Sequence, residues 1–164
     1  MNIIDKINRR IGEWLQWFMI SIIVVVLIDV MMRYVFSRPV MWTRDTVLML
    51  ACAMYVLSWA DIERVDQHIR VDLVYQLLSA RGKAIMDLVS ALLFFFPLMI
   101  LLAYVSFRWA VESWQVNERS TETFWYPPLA PIRTVVFIGI CLYILQAVVQ
   151  CIKSVRVIKN TPKR

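Results

Sequence analysis

Glycine is nearly missing from this chain of 164 residues: three copies, beside six prolines, three cysteines and one histidine. So few glycines exclude a flexible linker, a low-complexity segment and a phosphate-cradling loop. The cysteines Cys52, Cys141 and Cys151 are odd in number and fit no metal spacing. They read as small apolar helix residues. The single histidine, His68, cannot supply the axial pair that a haem-binding four-helix anchor needs at membrane depth. No nucleophile elbow and no cluster of metal ligands is present. The expectation is therefore a protein that is not an enzyme, with no cofactor, no metal and no substrate-binding residues. The net charge of +6 does not point to nucleic acid, because the basic residues cluster at the ends of apolar segments and form no stripe.

What is abundant is hydrocarbon. The chain is 60% hydrophobic, with a mean hydropathy of +0.64, well above a soluble domain. Four apolar stretches carry most of it: Trp14–Met32, Thr46–Ala60, Leu88–Phe107 and Thr134–Ile152. The last two hold no charged residue, which is the length a helix needs to cross about 30 Å of hydrocarbon at about 1.5 Å per residue. The predicted fold is an all-α integral membrane protein, a single domain over 1–164. Its four transmembrane crossings fall at about 14–34, 43–62, 84–108 and 132–153. Lys6, Arg9 and Arg10 before an apolar run resemble a signal peptide, but the residues from Asp29 to Arg33 offer no small-residue cleavage site. The first stretch reads as a retained helix.

With the N-terminus inside, twelve Lys and Arg fall on the inner side and six on the outer. That bias places both termini in the cytoplasm. The inner connection after the second crossing turns amphipathic: Ile69, Leu73, Val74, Leu77 and Leu78 share one face. A short interfacial helix is expected there, between the second and third crossings, ended by Arg81-Gly82. In the outer connection, Pro127, Pro128 and Pro131 exclude a regular helix up to the last crossing and suggest an ordered extended turn. Pro97 is expected to kink the third crossing.

Two crossings are short if only uncharged residues count, so Asp29, Arg33, Arg44 and Asp45 border the apolar zone. Asp29 and Arg33 share a helix face at i, i+4 and can pair. Together with Arg44 and Asp45 they are expected to form a four-member charge cluster at the outer end, either neutralised within the bundle or docking a second membrane protein. Arg108 and Glu112 can pair at the same end. On the fourth crossing, Gly139, Tyr143, Gln146 and Gln150 form a stripe that suggests helix–helix contact, internal or with a partner.

Several motifs occur in order. Arg33-Tyr34-Val35-Phe36 leads to Pro39 and then Trp42-Thr43-Arg44-Asp45. His68-Ile69-Arg70-Val71-Asp72 follows the second crossing, and Glu118-Arg119-Ser120 with Trp125-Tyr126-Pro127-Pro128 precedes the fourth. From about Arg9 to Ile152 the chain resembles the small membrane subunit of tripartite ATP-independent periplasmic (TRAP) transporters, the DctQ-like family. The resemblance implies a non-catalytic permease subunit in the bacterial inner membrane. It would pack against a large membrane subunit as part of the fixed scaffold of an ion-driven elevator, commonly sodium-coupled. A periplasmic substrate-binding protein would deliver an organic acid or related solute through a transient contact. Membrane lipids are the other expected partners.

The resemblance carries over Arg33, Trp42 and Asp45 as the motif bridging the first two helices. His68, Arg70 and Asp72 match the inner-loop motif, and Glu118, Ser120, Pro127 and Pro128 the outer segment. Where the family often has two acids after Trp-Ser, the first is here Arg44. Two other readings stay open on the residues alone: a membrane anchor of a redox complex, and a self-sufficient homo-oligomeric channel or carrier.

Overall fold

The computed structural model describes residues 3–64 and 80–160. Its helices are α1 (Ile3–Tyr34), α2 (Trp42–Arg64), α3 (Ala80–Ser90), α4 (Phe96–Gln115) and α5 (Ala130–Asn160), with a π-helical turn at Ala91–Phe95 joining α3 to α4. Among the described residues, four spans are long and apolar enough to cross a bilayer: Asp5–Tyr34, Trp42–Glu63, Ile85–Gln115 and Ala130–Val155. Among the described residues there is no strand, only an isolated bridge between Arg119 and Pro128. The expected interfacial helix, with His68, Arg70 and Asp72, lies outside the described residues.

The helices form because a bilayer leaves the backbone no other partner. β-Branched runs such as Ile22–Val26 are poor helix formers in water, but in hydrocarbon every N–H and C=O must bond within its own segment. The ends follow local chemistry. After Tyr34 the amides of Val35 and Arg38 close onto the carbonyls of Met31 and Met32 at 2.9 Å each. Ser37 then takes a left-handed φ of 54° ahead of Pro39. Pro131 lies in the first turn of α5, where a missing N–H costs nothing.

Pro97 expresses itself as the π-turn. Proline has no N–H and its ring collides with the carbonyl four residues back. The Phe96 amide therefore bonds the carbonyl of Ala91, five residues earlier, and the chain widens before the proline. Arg81-Gly82 lies within α3 and does not end it, and no glycine takes positive φ. A helix-ending glycine needs that left-handed conformation.

Sequentially, α1 packs on α2, α2 on α5, and α5 on both α3 and α4; α1 meets α5 over a short stretch only. The core centres on the α2–α5 seam: Ala53, Val56 and Ala60 on α2 and Ile140, Tyr143, Ala147 and Val149 on α5 are buried. Small residues let the backbones approach, as membrane helix seams require. A Cβ placed on Gly139 would lie 2.4 Å from Cγ1 of Val56. The Tyr143 ring packs edge-on against Phe95 with centroids 5.0 Å apart, and tilted against Trp59 at 5.9 Å. Ile23 and Leu27 on α1, and Phe94 and Leu101 around the π-turn and α4, are exposed outward. In hydrocarbon such faces carry no penalty.

α1 and α5 run beyond the expected crossings, α1 starting at Ile3 and α5 reaching Asn160. For α1 the reason is tertiary: Asp5 and Asn8 in its extension pack on α5 through polar side chains, described below.

Candidate functional site

Polar groups gather at the two ends of the bundle. At the end opposite the termini, Arg33 donates to Asp29 at 2.7 Å, one turn apart on α1. The other Asp29 oxygen accepts from the Thr43 hydroxyl at 2.9 Å, which ties α1 to the start of α2. Thr43 and Asp45 are both buried there.

The expected four-member cluster does not form as one unit. Arg44 turns to Glu122 at 3.3 Å and Asp45 accepts from the Thr123 hydroxyl, so both reach the loop between α4 and α5 instead of Asp29 and Arg33. Helix geometry explains the split. Successive helical residues point about 100° apart, so Thr43 faces α1 while its neighbours sweep toward the loop.

That loop, residues 116–129, is an ordered turn. The Ser120 amide bonds the Pro127 carbonyl at 2.9 Å and the Leu129 amide bonds the Glu118 carbonyl at 3.0 Å. Arg133 on α5 clamps Glu118 at 2.5 Å and lies 5.7 Å from the Trp109 ring centroid, so one cation holds loop, α4 and α5 together. Ser120 and Pro127 are buried, Pro128 is exposed, and Trp42 stands exposed at the start of α2. Asn117 and Tyr126 adopt left-handed φ of 49° each. For a bulky residue such as Tyr126 that conformation is imposed by its surroundings. Here Arg119 donates to its carbonyl at 3.3 Å. Phe124, Trp125 and Tyr126 project outward from this frame. Arg108 and Glu112, one turn apart on α4, form no ion pair with each other and stay exposed.

Between α1, α2 and the loop lies a cavity of about 620 Å³. Asp29, Arg33, Arg44 and Glu122 mark its polar rim, while Val26, Val47 and Leu48 form its apolar wall.

At the end carrying the termini, Gln146 is fully buried and joins two helices. It accepts from Asn8 Nδ2 at 2.8 Å and donates to Asp5 Oδ1 at 3.0 Å. Lys153 approaches the same Asp5 oxygen at 3.7 Å. Asn8 Oδ1 is buried without a hydrogen-bond partner. Gly139, Tyr143 and Gln146 thus face inward, each against another helix of the same chain. Gln150, one turn further, is half-buried. Among the described residues no group of three His, Cys, Asp or Glu could hold a metal ion.

The family model described as "Tripartite ATP-independent periplasmic transporters, DctQ component" matches residues 22–157. The chain belongs to this family. It is a DctQ-type membrane component of a TRAP transporter, a family of transporter parts rather than of catalysts, and it works in association with other TRAP components. Comparison with curated proteins and with solved structures returns no match.

The DctQ match begins at Ile22, so Asp5 and Asn8 fall before it. They are also the residues that sequence reading missed. The only signal was their i, i+3 spacing, which puts them on one face, set inside a stretch that otherwise reads as a basic flank. Thr43, Thr123 and Arg133 were missed as well. Nothing in the linear sequence marks Thr123 as the partner of Asp45, 78 positions away. Of the residues singled out by the resemblance, Asp45, Glu118 and Ser120 are placed at the loop and Arg33 on α1 beside Asp29, while His68, Arg70 and Asp72 lie outside the described residues.

Proposed function

We propose that this DctQ-family chain is the stationary membrane scaffold of a TRAP transporter. It packs against the large membrane subunit and holds no solute itself. The large subunit carries an organic acid or related solute by an elevator motion driven by an ion gradient, with sodium the expected ion. Both termini face the cytoplasm of a bacterial inner membrane, in line with the bias of Lys and Arg toward the terminal end. The loop over residues 116–129 then faces the periplasm, where it meets the solute-loaded binding protein.

The observation that carries this reading is how the buried polar groups are used. Gln146, Asp5 and Asn8 bind one another across α1 and α5. The α2–α5 seam closes on Gly139 with no room for a methyl group. A carrier needs a polar site near the bilayer midplane that opens alternately to each side. A seam built this tightly suits an element that keeps its shape. The exposed apolar faces of α1 and α4 suit burial in lipid and against a larger partner.

Vesicle reconstitution tests it. Chain alone should take up no solute, while chain with the large subunit and binding protein should. Uptake by the chain alone would defeat the scaffold role and favour a self-sufficient carrier.

A further inference from the structure

We propose that the cavity between α1, α2 and the loop seats one phospholipid whose headgroup carries both a phosphate and a primary ammonium. Two arginines from different helices, Arg33 and Arg44, line the same cavity. Each gives a single contact to a carboxylate, and their side chains remain 54% and 64% exposed. A guanidinium has five N–H donors, so both keep several for a phosphate, which accepts them in a fork. Glu122 is 63% exposed and offers its carboxylate to the ammonium. Asp29 is already engaged, with one oxygen on Arg33 and the other on Thr43. The two arginines and two carboxylates balance. A neutral rim fits a zwitterion; a lipid with only a phosphate would leave Glu122 facing like charge.

The wall below selects lipid over a water-soluble phosphate ester. Val26 lines the cavity seven positions before Arg33, which is two turns or about 10 Å toward the middle of α1. Leu48 and Phe124 extend that apolar surface on the other sides. Arg33 lies at the end of α1 and Arg44 in the first turn of α2, the level where headgroups meet hydrocarbon. Headgroup, glycerol and the first acyl carbons would thus be matched in turn. This site needs only a membrane-spanning bundle, so its failure would leave the scaffold role standing, and the reverse also holds.

Full-length chain is incorporated into nanodiscs holding equal phosphatidylethanolamine and phosphatidylglycerol, extracted gently, and weighed by native mass spectrometry. Wild type should keep one phosphatidylethanolamine per chain. Arg33→Gln with Arg44→Gln should cut retention by about tenfold or more, the scale of losing charge-assisted contacts. Leu48→Trp, which fills the apolar wall and leaves the rim intact, should cut it too, so the test survives if the arginine variant folds poorly. Arg108→Gln, at the same end but outside the cavity, should retain lipid as wild type does. Four results would overturn the assignment. They are equal retention in all variants, preference for phosphatidylglycerol, equal competition by soluble glycerophosphoethanolamine, and a Leu48→Trp chain that keeps lipid but loses the large subunit on co-purification.

Discussion

Replacing Gly139 by alanine should drive α2 and α5 apart. The added methyl would sit 2.4 Å from Cγ1 of Val56, 3.1 Å from the Val56 carbonyl oxygen and 3.2 Å from its carbonyl carbon. Carbon atoms settle at about 3.5–4.0 Å, so the first contact is short by about an ångström. Val56 is 7% exposed and its branched side chain has few rotamers to escape into. Overpacking of this kind costs about 1–3 kcal/mol. The assay is the thermal midpoint of the purified chain in one fixed detergent, followed by helical circular dichroism.

Val56→Ala supplies the control, because it deletes the atom in conflict. Alone it should destabilise by opening a void. Combined with Gly139→Ala it should fall short of the sum by about 1 kcal/mol or more, the added methyl filling the space that Cγ1 left. Recovery should be partial, since the two backbone contacts at 3.1 and 3.2 Å persist. A neutral Gly139→Ala, or strictly additive effects, would refute the close approach and with it the tight seam.

Gln146→Leu should destabilise by about 1–3 kcal/mol, because Asn8 and Asp5 lose a buried partner, and the thermal midpoint of Asn8→Leu with Gln146→Leu should lie above that of Gln146→Leu alone. Thr123→Val removes the hydroxyl that donates to Asp45, and hydrogen exchange should speed up within residues 118–126 while the helices keep their protection. Glu118→Gln weakens the half-buried pair with Arg133 by about 1 kcal/mol, seen as faster limited proteolysis in the same loop.

The four crossings were legible because hydrocarbon imposes one rule on every residue of a span. Leu88–Phe107 announces itself by composition and length alone. The Asp29–Arg33 pair was equally open to view, since i, i+4 spacing fixes its geometry before any tertiary contact exists. Arg44 and Asp45 were not. Their partners Glu122 and Thr123 come from a loop 78 positions later, and no periodicity reports which way that loop folds back. The polar stripe on α5 was visible as a contact face. That Gln146 meets Asn8 and Asp5 depended on α1 continuing as helix through its charged start, which composition reads as a solvated flank. Pro97 was visible as a disturbance, but whether a helix bends or widens at proline is decided by the packing around it.

The scaffold role is tested most directly by locking the bundle. A Cβ on Gly12 would lie 3.4 Å from the Cβ of Asp61, next to the 3.5–4.5 Å that a disulfide requires. Gly12→Cys with Asp61→Cys, with Cys52, Cys141 and Cys151 replaced by alanine, should therefore bridge α1 and α2 on oxidation. Uptake by the reconstituted transporter, measured before and after oxidation, should be unchanged if this chain holds still through the cycle. Arrest on oxidation, reversed by a reductant, would mean that α1 and α2 move against each other during transport.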